Sequence, residues 1–340
     1  VCFTKGQKML LQEVAAAEVK TITTGADKGK YEIAQNFRLD KDEAIFGFGQ
    51  RGSKNLTQRG EKIKMWNTNG NITIPYFASD KGYGFYWDNA GRSRFEDSEN
   101  LTRFTSEVAQ GVDYYFIYGG GSQDAVMASV RQLSGQATMF PLWSMGFWQC
   151  RERYKTPEEL LEVVHWHRAN GVPLDGIIQD WQYWGNNYLW NAMDFLGEPY
   201  HRGKEMVDEV HRQNAHLMIS IWASFGPQTH AFKQLEEKGL LYDFETWPQS
   251  GLSHIWPPRR DYPSGVRVYD ALSPEAREIY WKSLQKLVDY NIDAWWMDST
   301  DPDFFDARDH HYDHSAGDGT WRRYRNVFPL ASVSGIHDNL

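Results

Sequence analysis

Cysteine is almost missing from this sequence: Cys2 and Cys150 are the two in 340 residues, too few for a disulfide framework. Like charges do not run in blocks, and the formal net charge is −9. A surface that binds nucleic-acid phosphates needs clustered Lys and Arg, so no nucleic-acid partner is expected. No apolar run approaches the roughly 20 residues that cross a bilayer, so no membrane partner is expected. No G-x-G-x-x-G follows any apolar run, which takes away the main support for a dinucleotide site. A Met start and a secretory signal are also lacking; the chain opens Val1-Cys2. What the sequence has in excess is aromatic residues, 15% of the whole, with 15 Trp. Flat indole faces fill cores, and they also suit the apolar C–H faces of sugar rings.

At this length two domains are the expectation, and the texture changes near residue 135. Before it, short runs broken by Gly and Asn read as strands: Thr21–Thr24, Tyr31–Phe37, Ile72–Phe77, Gly84–Asp88 and Asp113–Tyr118. This predicts an antiparallel β-sandwich over residues 1–135. After Phe140-Pro141-Leu142-Trp143 the rhythm becomes strand, helix, strand, helix. The spacing of Leu160, Val163, Val164 and His167 predicts a helix over Thr156–Ala169, with Thr156 and Glu159 as a capping box and Pro157 at its first position. Two more helices are expected at Lys204–Asn214 and Ser273–Tyr290. Between the helices lie the apolar runs Met145–Gln149, Leu174–Gln179, His216–Trp222 and Ile292–Met297. Such runs indicate a parallel sheet covered by helices, and over residues 136–340 they fit half of a (β/α)8 TIM barrel.

In that architecture, chemistry collects where the strands end. The second run closes on Asp180-Trp181, the third on Trp222, and the fourth on Trp295-Trp296-Met297-Asp298. An Asp that ends an apolar strand is seldom buried without a task. Two carboxylates and several indoles at one rim match the needs of glycosidic cleavage. That reaction passes through an oxocarbenium-like state faced by one carboxylate, while a second carboxyl protonates the leaving oxygen.

The segment Ile292-Asp293-Ala294-Trp295-Trp296-Met297-Asp298-Ser299-Thr300-Asp301-Pro302-Asp303 resembles the nucleophile segment of glycoside hydrolase family 31, closest to its α-xylosidase branch. Met145-Gly146-Phe147-Trp148-Gln149, Gln179–Gly185, Ile219-Ser220-Ile221-Trp222, Phe46-Gly47-Phe48-Gly49 and Gly82-Tyr83-Gly84 resemble other family segments in the same order. The resemblance implies that Asp298 is the catalytic nucleophile of a retaining, exo-acting enzyme that releases terminal α-xylosyl residues from xyloglucan-type oligosaccharides. It implies that Asp180 binds sugar hydroxyls and Trp222 lines the same subsite. Trp296 stands where other branches carry Lys, and Trp181 and Tyr154 are expected to wall the pocket. No cofactor and no metal are implied. The acid/base carboxyl is expected beyond residue 340, which makes this stretch a fragment expected to be inactive by itself. Asp301, one methylene shorter than the branch's usual Glu, and Ala223, where Pro is common, depart from the pattern. The rivals are an α-glucosidase or α-glucosyltransferase of the same family, and a sugar-binding homologue without activity. A soluble protein, periplasmic or secreted rather than cytoplasmic, is expected; the oligomeric state is not legible.

Asp309-His310-His311-Tyr312-Asp313-His314 has the residue types of a metal site but lies in a Gly- and Asp-rich stretch, and is expected to be a solvated loop. Arg151-Glu152-Arg153 is expected to be a salt-bridge cluster on the surface or rim. Trp66–Asn69 is expected either to overhang the pocket or to form a plain β-turn.

Overall fold

The structure, a computed structural model, describes residues 1–52, 55–68, 71–245, 265–300 and 309–340. Asn69, Asp301 and Asp303, named above, lie outside the described residues. The chain divides into two compact units, Val1–Thr138 with Tyr312–Val327, and Met139–His311 with Phe328–Leu340.

The first unit is antiparallel throughout. One sheet runs in the order Cys2–Lys5, Lys8–Glu13, Tyr31–Arg38, Thr102–Ala109, Ser93–Asp97, Lys62–Met65, with Glu18–Thr21 also paired to Tyr31–Arg38. A second sheet orders Tyr114–Tyr118, Tyr83–Trp87, Tyr76–Ser79 and Ile45–Gly47. Alternation makes the core: in Thr102–Ala109 every second residue is buried. Phe104 sits at the centre, with the rings of Phe37, Phe48, Phe77, Phe85, Trp87 and Phe95 at 4.9–6.5 Å. The strand expected at Ile72–Phe77 begins instead at Tyr76, just after Pro75, whose ring cannot donate to a ladder. The one expected at Thr21–Thr24 lies three residues earlier, at Glu18–Thr21.

The second unit carries a parallel sheet with strands β1 (Trp148–Gln149), β2 (Gly176–Gln179), β3 (His216–Trp222) and β4 (Ala294–Asp298), in that spatial order. Helices α1 (Pro157–Ala169), α2 (Gly203–Arg212), α3 (His230–Glu237) and α4 (Pro274–Asp289) lie between the strands in sequence, and α5 (Phe328–His337) packs on α4. The observed cap of α1 differs slightly from a capping box. Thr156 Oγ1 accepts from Glu159 N–H, but the Glu159 carboxylate takes Lys155 N–H, one residue before the cap. Leu160, Val164 and His167 of α1, and Met206, Val207 and Val210 of α2, are buried.

The two faces of this sheet differ. Ile177, Leu217, Ile219 and Ile221, on the face that the helices cover, are 0% exposed. On the opposite face Trp148, Met218 and Ala294 are half-buried and Trp296 is 44% exposed. Side chains alternate along a strand, so the two sets are fixed by parity.

Candidate active site

Register places the candidate residues on the open face. Trp222 pairs with Asp298, and Ser220 with Trp296, so all four side chains leave the sheet on one side. Ile178 pairs with Met218, which puts Asp180, two residues on, level with Ser220 on that same side. Asp180, Trp222 and Asp298 therefore leave one face near the C-terminal ends of β2, β3 and β4, Trp222 level with Asp298 and Asp180 one same-face step lower, level with Ser220 and Trp296. Trp296 lies two residues below Asp298, about 6–7 Å deeper along the strand.

Each position is held by local chemistry. Ser299 follows Asp298 with φ 44, a left-handed conformation that few side chains adopt, and Thr300 Oγ1 donates to Met297 O at 2.8 Å. The chain thus turns sharply directly after the carboxylate. The Trp222 backbone is gripped on both sides of the peptide. Its N–H donates to Asn191 Oδ1 at 3.1 Å, and its carbonyl accepts from Asn191 Nδ2 at 2.6 Å and from the Tyr280 hydroxyl at 3.0 Å. Asn191, fully buried, has φ 55 and imitates a neighbouring strand where the ladder ends. The Trp222 indole N–H donates to Ser220 Oγ at 3.1 Å, and the ring meets Trp190 edge-on at 4.7 Å.

Asp180 is the electrostatic centre. One of its carboxylate oxygens accepts the N–H of Trp181 at 2.7 Å. Burial pushes its pKa up to about 7, with the negative charges of Asp298 and Glu152 adding to the rise and hydrogen bonds from Trp181 N–H and the Ser220 hydroxyl opposing it. The Cys150 thiol is likewise held above its ordinary range by desolvation and by the charge of Asp180.

Trp181 and Tyr154 stand differently. The Trp181 indole N–H donates to Glu152 at 2.5 Å, its ring carries the Arg153 guanidinium at 4.7 Å, and it rests on Trp190 at 5.7 Å. It joins Trp184 and Trp190 in an aromatic cluster next to Trp222. Tyr154 is 1% exposed, and its carbonyl accepts from the Tyr200 hydroxyl at 2.5 Å and from Gln179 Nε2 at 3.3 Å.

Three contributors escaped the sequence reading. Glu152 was expected only in a surface or rim ion cluster, whereas it fixes Trp181 and bears on Asp180. Asn191 gave no signal, because its partner lies 31 residues away. Ser220 did give one: it is a polar residue inside the apolar run Ile219-Ser220-Ile221, with the parity of Trp222. The Asp309–Asp313 segment forms a short 3-10 turn, and among the described residues no group of three or more His, Cys, Asp or Glu is placed to hold a metal ion. No described helix is long and apolar enough to cross a membrane.

Comparison with known proteins agrees with this architecture. Residues 137–340 match the Glycosyl hydrolases family 31 TIM-barrel domain, and residues 3–96 match the Glycosyl hydrolase 31 N-terminal galactose mutarotase-like domain. An α-xylosidase of Saccharolobus solfataricus is 33% identical over 322 residues, covering 91% of this chain and 41% of the relative. The crystal structure of an α-xylosidase from a soil metagenome, complexed with xylose, superposes with a TM-score of 0.85 at 23% identity, over 99% of this chain and 51% of that one. A Flavobacterium johnsoniae dextranase complexed with glucose superposes with a TM-score of 0.80 at 23% identity, over 99% of this chain and 41% of that one. The chain thus spans about half the length of the relatives it matches. With a barrel-domain match across its second unit and a sandwich-domain match in its first, this chain belongs to glycoside hydrolase family 31.

Proposed function

We propose that the whole protein is a retaining, exo-acting α-glycosidase that removes terminal α-xylosyl residues from xyloglucan-type oligosaccharides, with Asp298 as nucleophile. The observation that carries this reading is that Asp180, Trp222 and Asp298 share one face at the ends of three adjacent strands. A carboxylate at the end of β4 can attack the anomeric carbon, an indole beside it can face the ring, and Asp180 can hold ring hydroxyls. Asp180 is read as a binding carboxylate, and the carboxyl that protonates the leaving oxygen is expected downstream of the nucleophile segment, as the family resemblance implies.

Xylose is favoured over glucose by Trp296, which stands below Asp298 on the same face and narrows the room for a C6 hydroxymethyl group. The Saccharolobus relative is itself named an α-xylosidase. An α-glucoside specificity is the second reading, favoured by the superposition on a dextranase.

Two measurements on the full-length protein test this. With a fluorinated xylosyl fluoride, mass spectrometry of the peptide containing Trp295–Asp303 is expected to show a covalent adduct on Asp298. Asp298→Ala is expected to remove the adduct and cut turnover by about three powers of ten or more, since the covalent route is gone. Label on Asp301 or Asp303 would move the nucleophile. The ratio of kcat/KM for aryl α-xyloside and aryl α-glucoside decides the sugar, and a glucoside preference overturns xylose.

A further inference from the structure

We propose that Asn191 is a positioning residue for Trp222: its amide continues the sheet past the end of β2 and sets how the Trp222 indole is presented to the sugar. The β2–β3 ladder stops at the pair Gln179 and Ile219. Beyond that pair, Ser220 and Trp222 present backbone groups for which β2 no longer offers a partner, and buried backbone groups need partners. Side chains from the segment after β2 supply them. The Tyr183 hydroxyl donates to the Ser220 carbonyl at 2.9 Å. The Asn191 amide takes both backbone groups of Trp222, its Oδ1 accepting the N–H at 3.1 Å and its Nδ2 donating to the carbonyl at 2.6 Å. A backbone N–H only donates and a carbonyl only accepts, so the orientation of the amide is fixed.

The grip extends beyond one side chain. The residues just before Asn191 are stitched to those that follow β3: Gly226 N–H donates to the Trp190 carbonyl and Gln228 N–H to the Tyr188 carbonyl, both at 2.9 Å. A Cβ at Gly226 would collide with the Tyr188 carbonyl, so this approach depends on glycine. A second donor, the hydroxyl of Tyr280 on α4, reaches the Trp222 carbonyl at 3.0 Å. With its backbone held by two elements, Trp222 keeps only its side-chain torsions, and its ring meets the edge of Trp190 and the Ser220 hydroxyl. An indole held in place before the sugar arrives loses little freedom on binding, so the grip acts on affinity. The functional half of the inference rests on the glycosidase reading; the grip does not.

The test separates the two in the full-length protein. Asn191→Gly removes the amide and keeps the backbone, since glycine adopts φ 55 freely. Tyr280→Phe removes one hydroxyl and keeps the ring. Hydrogen exchange read by mass spectrometry is expected to show one slowly exchanging amide fewer in the peptide Leu217–Phe225 of Asn191→Gly. Tyr280→Phe should leave that peptide unchanged, because the Tyr280 hydroxyl meets the Trp222 carbonyl and not its N–H. In steady-state kinetics, Asn191→Gly is expected to raise KM for the aryl α-xyloside about tenfold and Tyr280→Phe about threefold, with kcat changed less than about threefold in both. The double variant should raise KM by more than the product of the two, because only there does the Trp222 carbonyl lose both donors. An Asn191 that merely stabilises the fold would lower Tm and the active fraction, hence the apparent kcat, at unchanged KM, and that result overturns the proposal. So does a peptide that exchanges alike in wild type and Asn191→Gly. Loss of the protected amide in a protein that turns over neither glycoside upholds the grip and removes the glycosidase reading.

Discussion

At the scale of single residues, Asp180 is held at the expense of stability. Its pKa is pushed up to about 7 by burial, and by Asp298 and Glu152, whereas an Asp in an unfolded chain titrates near 3.9. The folded state therefore binds this proton more tightly than the unfolded state does. Below about pH 4 both states carry the proton and the penalty vanishes; it grows as pH rises towards 7 and is full above that. Asp180→Asn is thus expected to stabilise the protein by up to about 4 kcal/mol above pH 7 and by almost nothing below pH 4, which calorimetry at pH 4, 6 and 8 would show. A gain independent of pH would mean that the charge is not the cause. The same variant separates two roles. A group that binds hydroxyls should lose activity equally on an aryl xyloside and on a xylosyl fluoride. A proton donor should be rescued on the fluoride, whose leaving group needs little protonation. Asp180 and Asp298 were visible in the sequence because each closes an apolar run. Glu152 was hidden, because it sits in a charged triplet and its partner Trp181 is 29 residues away.

At the scale of elements, strand β3 was legible to the residue and its neighbours less so. Apolar residues on both faces leave little choice for His216–Trp222, whereas β4 starts at Ala294 rather than Ile292. The reason is Asp293, whose side chain works as a clip below the strand. Its carboxylate accepts Leu217 N–H at 2.8 Å, His211 Nε2 at 2.7 Å and His216 Nδ1 at 3.1 Å. The helix Gln123–Ser134 went unread although Val126, Val130 and Leu133 keep a helical spacing; of its residues only Val126 is buried. Burial alone would raise the pKa of Asp293, but the hydrogen bonds from Leu217, His216 and His211 outweigh it and hold the group below its ordinary range. A depressed carboxylate contributes stability above its unfolded pKa of about 3.9, and that contribution is lost as pH falls through the folded value. Asp293→Asn is expected to cost about 1–3 kcal/mol near neutral pH, with the gap to wild type closing below about pH 4. Thermal melts of both proteins across that range would check it, and a gap that stays constant would place the loss in packing instead.

At the scale of the whole molecule, the sequence division near residue 135 does not contain the path of the chain. After β4 the segment Tyr312–Val327 belongs to the first unit, and only then does the chain supply α5 to the second. The contacts are specific and far apart in sequence. Asp27 accepts Thr320 N–H at 3.1 Å and the Thr320 hydroxyl at 2.5 Å, across 293 residues. Arg322 pairs with Glu107 at 2.6 Å, and Asn326 Nδ2 donates to the carbonyls of Met65 and Gly91, both at 2.9 Å. The Arg92 guanidinium stacks on Trp66 at 4.4 Å and on Tyr312 at 4.0 Å. No periodicity announces such contacts, because each is a single polar or charged side chain meeting a backbone group, a carboxylate or a ring elsewhere in the chain. If they help to hold the first unit together, residues 1–138 alone should be less stable than the same unit in the full chain. A synthetic peptide of residues 309–328 added in trans should then recover stability by mass action, about 2.7 kcal/mol at 100 times its Kd. Replacing Thr320 by Ala in the peptide removes the buried partner of Asp27 and should weaken binding about tenfold, in line with one lost hydrogen bond to a charged group. Thermal melts of residues 1–138 against peptide concentration would measure both effects. A melting temperature that ignores the peptide would show that the sandwich closes its core without the returning segment.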